Sequence, residues 1–163
     1  MSLSPAVADA LRSAQLDPDQ VEHLIRATLA EDLGLAGDIT SAATVPDDAV
    51  LVCDYVSRAE GVAAGIPVLA AVADIALPDG TFTAFVTDGE PLAPGTALAR
   101  VEGNAREILA LERTSLNLVG HLCGIASLTR SWVDAVTGTK AKIRDTRKTM
   151  PLLRELEKYA VRC

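Results

Sequence analysis

The stretch GTKAKIRDTRKTMP, Gly138–Pro151, places five basic residues within nine positions: Lys140, Lys142, Arg144, Arg147 and Lys148. Within it, Ala141–Asp145 predicts a short strand, and Thr146-Arg147-Lys148 falls at the strand's C-terminal end. Pro151 suits the first turn of a helix running through Tyr159 and Val161. Strand, polar turn and helix form the opening of a β/α unit, where chemistry sits beyond the strand's C-terminal end. A single unit of this kind cannot cover both faces of its strand, because parallel sheets need several neighbours.

Outside this stretch the chain is acidic. Residues 1–110 carry 5 Lys+Arg against 17 Asp+Glu, a net of 5 − 17 = −12, and residues 111–163 carry 10 against 5, a net of +5. All four lysines lie between Lys140 and Lys158. A positive patch concentrated in an acidic protein suits a small anion and discourages polyanions. With a pI near 4.8 and only 3% aromatic residues, nucleic-acid binding by charge or by base stacking is not expected.

The 163 residues suffice for one ordinary domain or slightly more, and 49% hydrophobic content permits a core of Ala, Val, Leu and Ile. Cys53, Cys123 and Cys163 are widely spaced and form no Cys-x-x-Cys, so reduced thiols and a cytoplasmic location are expected. The N-terminus shows no basic n-region followed by an apolar run, so no signal peptide is read. No apolar stretch approaches the roughly 20 residues of a membrane helix.

Asp17-Pro18 predicts a helix start, with Val21, Leu24, Ile25 and Leu29 at helical spacing and Gly34 as terminator. Ala49–Ala59 predicts a strand, and Gly65-Ile66-Pro67 starts an apolar helix through about Ile75. Two further strands fall near Thr81–Val86 and Ala97–Glu102, punctuated by Asp88-Gly89 and Pro94-Gly95. Asn104, with Glu107 three residues on, predicts a capped helix carrying Ile108, Leu111, Ser115, Leu118 and Leu122 on one stripe. Gly120 and Gly124 are expected to interrupt it, leaving a second helical segment over Ile125–Val136.

Four blocks, in order, resemble the N-terminal part of the quinolinate phosphoribosyltransferase family: EDLGLAGDIT (Glu31–Thr40), RAEGVAAG (Arg58–Gly65), LERTSLNLVGHLCGIAS (Leu111–Ser127) and GTKAKIRDTRKTMPLLRELEKYAVRC (Gly138–Cys163). The resemblance implies an α+β, sandwich-like N-terminal domain with its connecting helix over residues 1–117. The first β/α unit of a truncated α/β barrel would follow over residues 118–163. Met150 and Leu152 depart from the smaller or more polar residues expected beside the substrate loop. The implied reaction joins quinolinate to phosphoribosyl pyrophosphate, giving nicotinate mononucleotide, pyrophosphate and carbon dioxide in NAD biosynthesis. The resemblance also implies Mg²⁺, with its ligands outside this chain. A chain holding only the start of the barrel is expected to show no turnover and to expose apolar surface where the rest would pack.

Both substrates are anionic, so fixed cations are required. An arginine fork matches a carboxylate with two parallel hydrogen bonds, and lysine offers a compact charge. The resemblance assigns Arg147 and Lys148 to quinolinate or the phosphoribosyl group as catalytic and substrate-binding residues, with Thr146 donating beside them. It assigns Arg113 to the neighbouring active site of a homodimer. On spacing alone, a basic cluster is usually a solvated surface, and Arg113 reads as an exposed helix charge. Lys140, Lys142 and Arg144 would share one strand face, enhancing the local field or pairing with acids. The carboxylates Glu31, Asp32 and Asp38 could hold Mg²⁺, but a capping role for Asp38 is the preferred reading, and no metal ligand is assigned. His121 is read as a packing residue and Arg106 as a plain surface charge. Two alternatives remain. One is a paralogous enzyme with another anionic acceptor. The other is a biotinyl- or lipoyl-like module, suggested by VTDGEPLAPGTALARVEG (Val86–Gly103), although such a carrier needs a hairpin-tip lysine and none precedes Lys140.

Overall fold

The computed structural model describes residues 2–163. Helix α1 (Pro5–Ser13) and helix α2 (Pro18–Leu33) are followed by the short α3 (Ile39–Thr44). Strand β1 (Val50–Val56) and β2 (Gly61–Val62) precede α4 (Ile66–Ala76). Strands β3 (Thr81–Ala84), β4 (Pro91–Leu92) and β5 (Ala97–Asn104) lead into the long α5 (Ala105–Ala135), and α6 (Arg154–Arg162) closes the chain.

The caps explain where the helices start. Asp17 accepts from the Asp19 amide. Asp38 accepts from the Thr40 and Ser41 amides, and Asn104 from those of Arg106 and Glu107. Each supplies an acceptor for otherwise unpaired first-turn donors. Helix α1 escaped the sequence reading, although Pro5 opens it and Ala8 and Leu11 supply its buried stripe.

The main sheet has strand order β1-β5-β3, all antiparallel, with Cys53 opposite Val101 and Thr83 opposite Arg100. Along β1, Leu51, Cys53 and Tyr55 turn inward while Val50, Val52 and Val56 stay exposed, as the two-residue period requires. Helices α4 and α5 pack against this sheet; α1 and α2 contact those helices rather than the strands, and α6 lies on α5. The short β2 and β4 form a separate antiparallel pair. Val72, Leu111 and Leu122 lie in the main core.

Three expectations fail. The predicted strand Ala141–Asp145 is not a strand, so the β/α unit and its barrel are not formed among the described residues. A parallel strand needs neighbours to pair with, and Ala141, Lys142, Arg144 and Asp145 stay exposed instead. The helix after it begins at Arg154 rather than Pro151, behind Leu152 at φ 67°.

Helix α5 also runs unbroken through Gly120 and Gly124. A glycine costs a helix about 1 kcal/mol relative to alanine. Burial of Leu118, Leu122 and Ala126 on the inner stripe outweighs that, since each fully buried leucine contributes about 1.5–3 kcal/mol. Near the end of α5, Leu128, Trp132 and Val133 remain exposed.

Candidate anion-binding site

The basic stretch is the connection between α5 and α6. Gly138 takes the left-handed φ of 83° that turns the chain out of α5. The Thr139 hydroxyl donates to the Val136 carbonyl (2.7 Å) and accepts from the Ala141 amide (3.1 Å). Further on, the Lys148 amide donates to the Thr146 hydroxyl oxygen (3.1 Å). Thr146, Arg147 and Lys148 are therefore neighbours on one exposed turn, and the Thr146 hydroxyl keeps its own proton available for donation.

Helix α6 holds this loop from one side. Glu157 accepts from the Met150 amide at 3.4 Å through each carboxylate oxygen. Arg154 donates to the Thr149 hydroxyl (3.4 Å), and Lys158 pairs with Asp145. His121 meets Glu157 at 2.9 Å, so it is an exposed partner of the loop's anchor rather than a packing residue. Its 36-position separation from Glu157 leaves no signal in the sequence.

Among the described residues, Lys140, Lys142, Arg144, Arg147 and Lys148 have no ion-pair partner. The single acid inside the loop, Asp145, is taken by Lys158. Without a strand, Lys140, Lys142 and Arg144 share no fixed face. They contribute charge and pair with no acid.

Arg113 is at a different place. It lies on α5 and pairs at 2.5 Å with Asp32 in the last turn of α2, while its side chain stays 71% exposed. Its partner thus comes from 81 positions away, not from the adjacent Glu112. A cleft of about 440 Å³ opens here, lined by Asp32, Asp38, Thr40, Glu112, Arg113 and Asn117 among others. The Asp32 carboxylate, through its hydrogen bond and its charge, raises the guanidinium pKa of Arg113 further. Among the described residues, no hydrogen bond or ion pair links Arg113 to Thr146, Arg147 or Lys148. Eight residues separate Arg113 from His121 on α5, about 12 Å along the axis.

The acidic loop is already committed. The Ser41 hydroxyl and amide, with the Thr40 amide, hold the Asp38 carboxyl below its ordinary value of 3.8. Asp32 serves Arg113. Among the described residues, no three His, Cys, Asp or Glu side chains gather as a metal site. Arg106, read as a plain surface charge, donates to the carbonyls of Val45 (2.7 Å) and Ala42 (3.3 Å) and so holds the end of α3. Burial first and Asp88 second push the Cys163 thiol up to about 11. No helix among the described residues is long and apolar enough to cross a membrane.

Two family models match consecutive segments: the N-terminal domain of quinolinate phosphoribosyl transferase over residues 38–123, and its C-terminal domain over residues 125–163. The chain is 51% identical over 146 residues to the carboxylating nicotinate-nucleotide pyrophosphorylase of Mycobacterium leprae, covering 88% of this chain and 51% of that protein. It is 35% identical over 141 residues to the chloroplastic counterpart of Arabidopsis thaliana, covering 86% and 40%. Among solved structures, the nicotinate-nucleotide pyrophosphorylase from Francisella tularensis superposes with a TM-score of 0.83 at 34% identity, over 89% of this chain and 51% of that one. The one from Ehrlichia chaffeensis gives 0.80 at 39% identity, over 85% and 50%. The chain spans about half the length, or less, of these relatives. The first family model also covers Val86–Gly103, so the carrier-module alternative falls.

Proposed function

Because the chain belongs to the quinolinate phosphoribosyl transferase family, we propose that the whole protein transfers a phosphoribosyl group from phosphoribosyl pyrophosphate to quinolinate. Nicotinate mononucleotide, pyrophosphate and carbon dioxide are the products, and the setting is cytoplasmic NAD biosynthesis. The observation that carries this reading is the set of five exposed cations on one loop of an otherwise acidic chain, none with an ion-pair partner among the described residues. A dicarboxylate and a phosphorylated sugar are the ligands that such a loop can serve.

Arg147 offers its planar fork to a carboxylate, and Lys148 a point charge to the second carboxylate or a phosphate. The Thr146 hydroxyl donates beside them. Held at its carboxylates, quinolinate presents its ring nitrogen to the anomeric carbon, and the new C–N bond forms as pyrophosphate leaves; the carboxylate beside that nitrogen then departs as carbon dioxide, and a proton from solvent takes its place on the ring. Cations fixed before the reaction act where charge must be held, which is a large catalytic contribution in general. Arg113 reaches the active site of the partner in a homodimer, which requires that it leave or share its Asp32 contact. Mg²⁺ would be held by residues outside this chain and would supply positive charge to balance pyrophosphate. Residues 1–117 form the N-terminal domain and residues 118–163 begin the barrel domain completed by chain beyond Cys163.

The full-length protein incubated with quinolinate, phosphoribosyl pyrophosphate and Mg²⁺ should form nicotinate mononucleotide, read by chromatography; its absence sinks the assignment. Nicotinate and other pyridine acids run in parallel distinguish a paralogue with another acceptor. Arg147→Ala should weaken quinolinate binding roughly tenfold to a hundredfold, the range for a charged hydrogen bond. Unchanged affinity removes Arg147 from the site.

A further inference from the structure

We propose that Tyr159 and Asp88 are a positioning pair that docks α6 onto the N-terminus of α4 and thereby fixes the basic loop. The inference rests on the reading of that loop as the anion site.

Helix α6 has two working faces. Outward, Arg154, Glu157 and Lys158 hold Thr149, Met150 and Asp145. Inward, Leu156, Tyr159 and Ala160 are buried. A nine-residue helix is marginal in isolation, so its position comes from what its inner face meets. Leu156 and Ala160 supply apolar contact, which carries little direction. Tyr159, 3% exposed, supplies a directed bond: its hydroxyl donates to Asp88 Oδ2 and accepts from the Gly65 amide at 3.1 Å.

Asp88 completes the node. Its Oδ1 accepts from the Gly65 amide (2.9 Å) and the Ile66 amide (3.0 Å), at the start of α4. The carboxylate thus meets unpaired first-turn donors and the positive end of the helix dipole together. Burial first, and then the Asp88 charge, raise the Tyr159 phenol pKa, so the hydroxyl remains a donor. Among the described residues, the other directed contacts of α6 with elements outside the loop are exposed: His121 with Glu157, and Arg162 with the Ala14 carbonyl at 3.1 Å. The Tyr159–Asp88 bond therefore links the segment bearing the cations to the domain that precedes it, across 71 positions.

The test uses the full-length protein with Tyr159→Phe, Asp88→Asn and the double variant, followed by amide hydrogen exchange. Exchange over residues 145–157 should rise roughly tenfold in each single variant, as loss of one charged hydrogen bond implies. The double variant should exceed the larger single one only slightly, because both remove one link. The β1–β5 ladder should keep its wild-type exchange. Wild-type exchange over 145–157 in the single variants, or a ladder that loosens in step with it, overturns the proposal. Asp88→Asn keeps an acceptor for the Gly65 and Ile66 amides and carries the test if Tyr159→Phe does not fold. In kinetics, KM for quinolinate should rise about tenfold with kcat within about twofold, since the loop's place and not its chemistry is altered. A loosened loop with an unchanged KM overturns the positioning role. No product from the wild-type protein would defeat the catalytic reading instead, and the exchange result would still decide the docking.

Discussion

Replacing Gly65 by alanine tests how closely α4 and α5 approach. Gly65 starts α4 at φ 106°, a region that side chains rarely adopt. A Cβ there would lie 3.0 Å from Leu122 Cδ1, 3.7 Å from Leu122 Cβ and 3.8 Å from the Val119 backbone. The left-handed backbone costs a non-glycine residue about 1–2 kcal/mol. Leu122, itself 1% exposed, must also give way, and overpacking of this kind costs about 1–3 kcal/mol. Together they give about 2–3 kcal/mol at the low end of the packing term, or a melting temperature lower by roughly 4–12 °C for a chain this size. Urea unfolding followed by circular dichroism measures the free energy, with an unchanged m-value showing that the denatured state is unaffected. Gly95→Ala is the internal reference: its φ is 89°, but nothing lies within 4 Å of the added carbon. It should show the backbone cost without the packing cost. If Gly65→Ala is no worse than Gly95→Ala, the close α4–α5 approach is wrong. If neither destabilises, the left-handed conformations are wrong as well.

Two further outcomes follow from local geometry. Gly120 and Gly124 lie inside an unbroken α5 with open space around them, so each change to alanine should stabilise by about 0.5–1 kcal/mol in the same unfolding assay; a loss of stability would mean that the helix breaks there after all. Asp38 is held below its ordinary 3.8 by Ser41 and Thr40, so its capping contribution is full above 3.8 and is lost as pH falls through the lower folded-state value. A carboxyl titration by NMR should place its midpoint below 3.8, and a midpoint at or above that value removes the cap.

The features that were legible in the sequence are local ones. Asp17, Asp38 and Asn104 cap helices because an acceptor and its first-turn donors lie within three residues of each other. The β-branched run of β1 and the turn at Pro94-Gly95 before β5 are local in the same sense. Errors arose where distant partners decide. Ala141–Asp145 has a strand's alternation, but alternation gives no strand without a neighbouring edge. Gly120 and Gly124 have a breaker's propensity, yet the buried stripe through Leu118 and Leu122 keeps the helix continuous. Strands β2 and β4 have two residues each, too few for any periodicity. Of the candidate site, the grouping of Thr146, Arg147 and Lys148 could be read because they are consecutive. The contacts that hold them could not, since Glu157 meets His121 across 36 positions and Tyr159 meets Asp88 across 71.

The distribution of acids explains how a chain of net charge −7 can present a positive loop. Carboxylates close to a basic group are already used: Asp32 by Arg113, Asp54 by Arg100, Asp145 by Lys158 and Glu157 by His121. Asp88 is drawn inward by two helix amides and a phenol, and Asp38 by α3. Exposed charges farther away than the screening length, about 8–10 Å at physiological salt, count little at the loop. The field at the loop is therefore set by its local charges, Lys140, Lys142, Arg144, Arg147 and Lys148 against the flanking Asp134 and Glu155, rather than by the total.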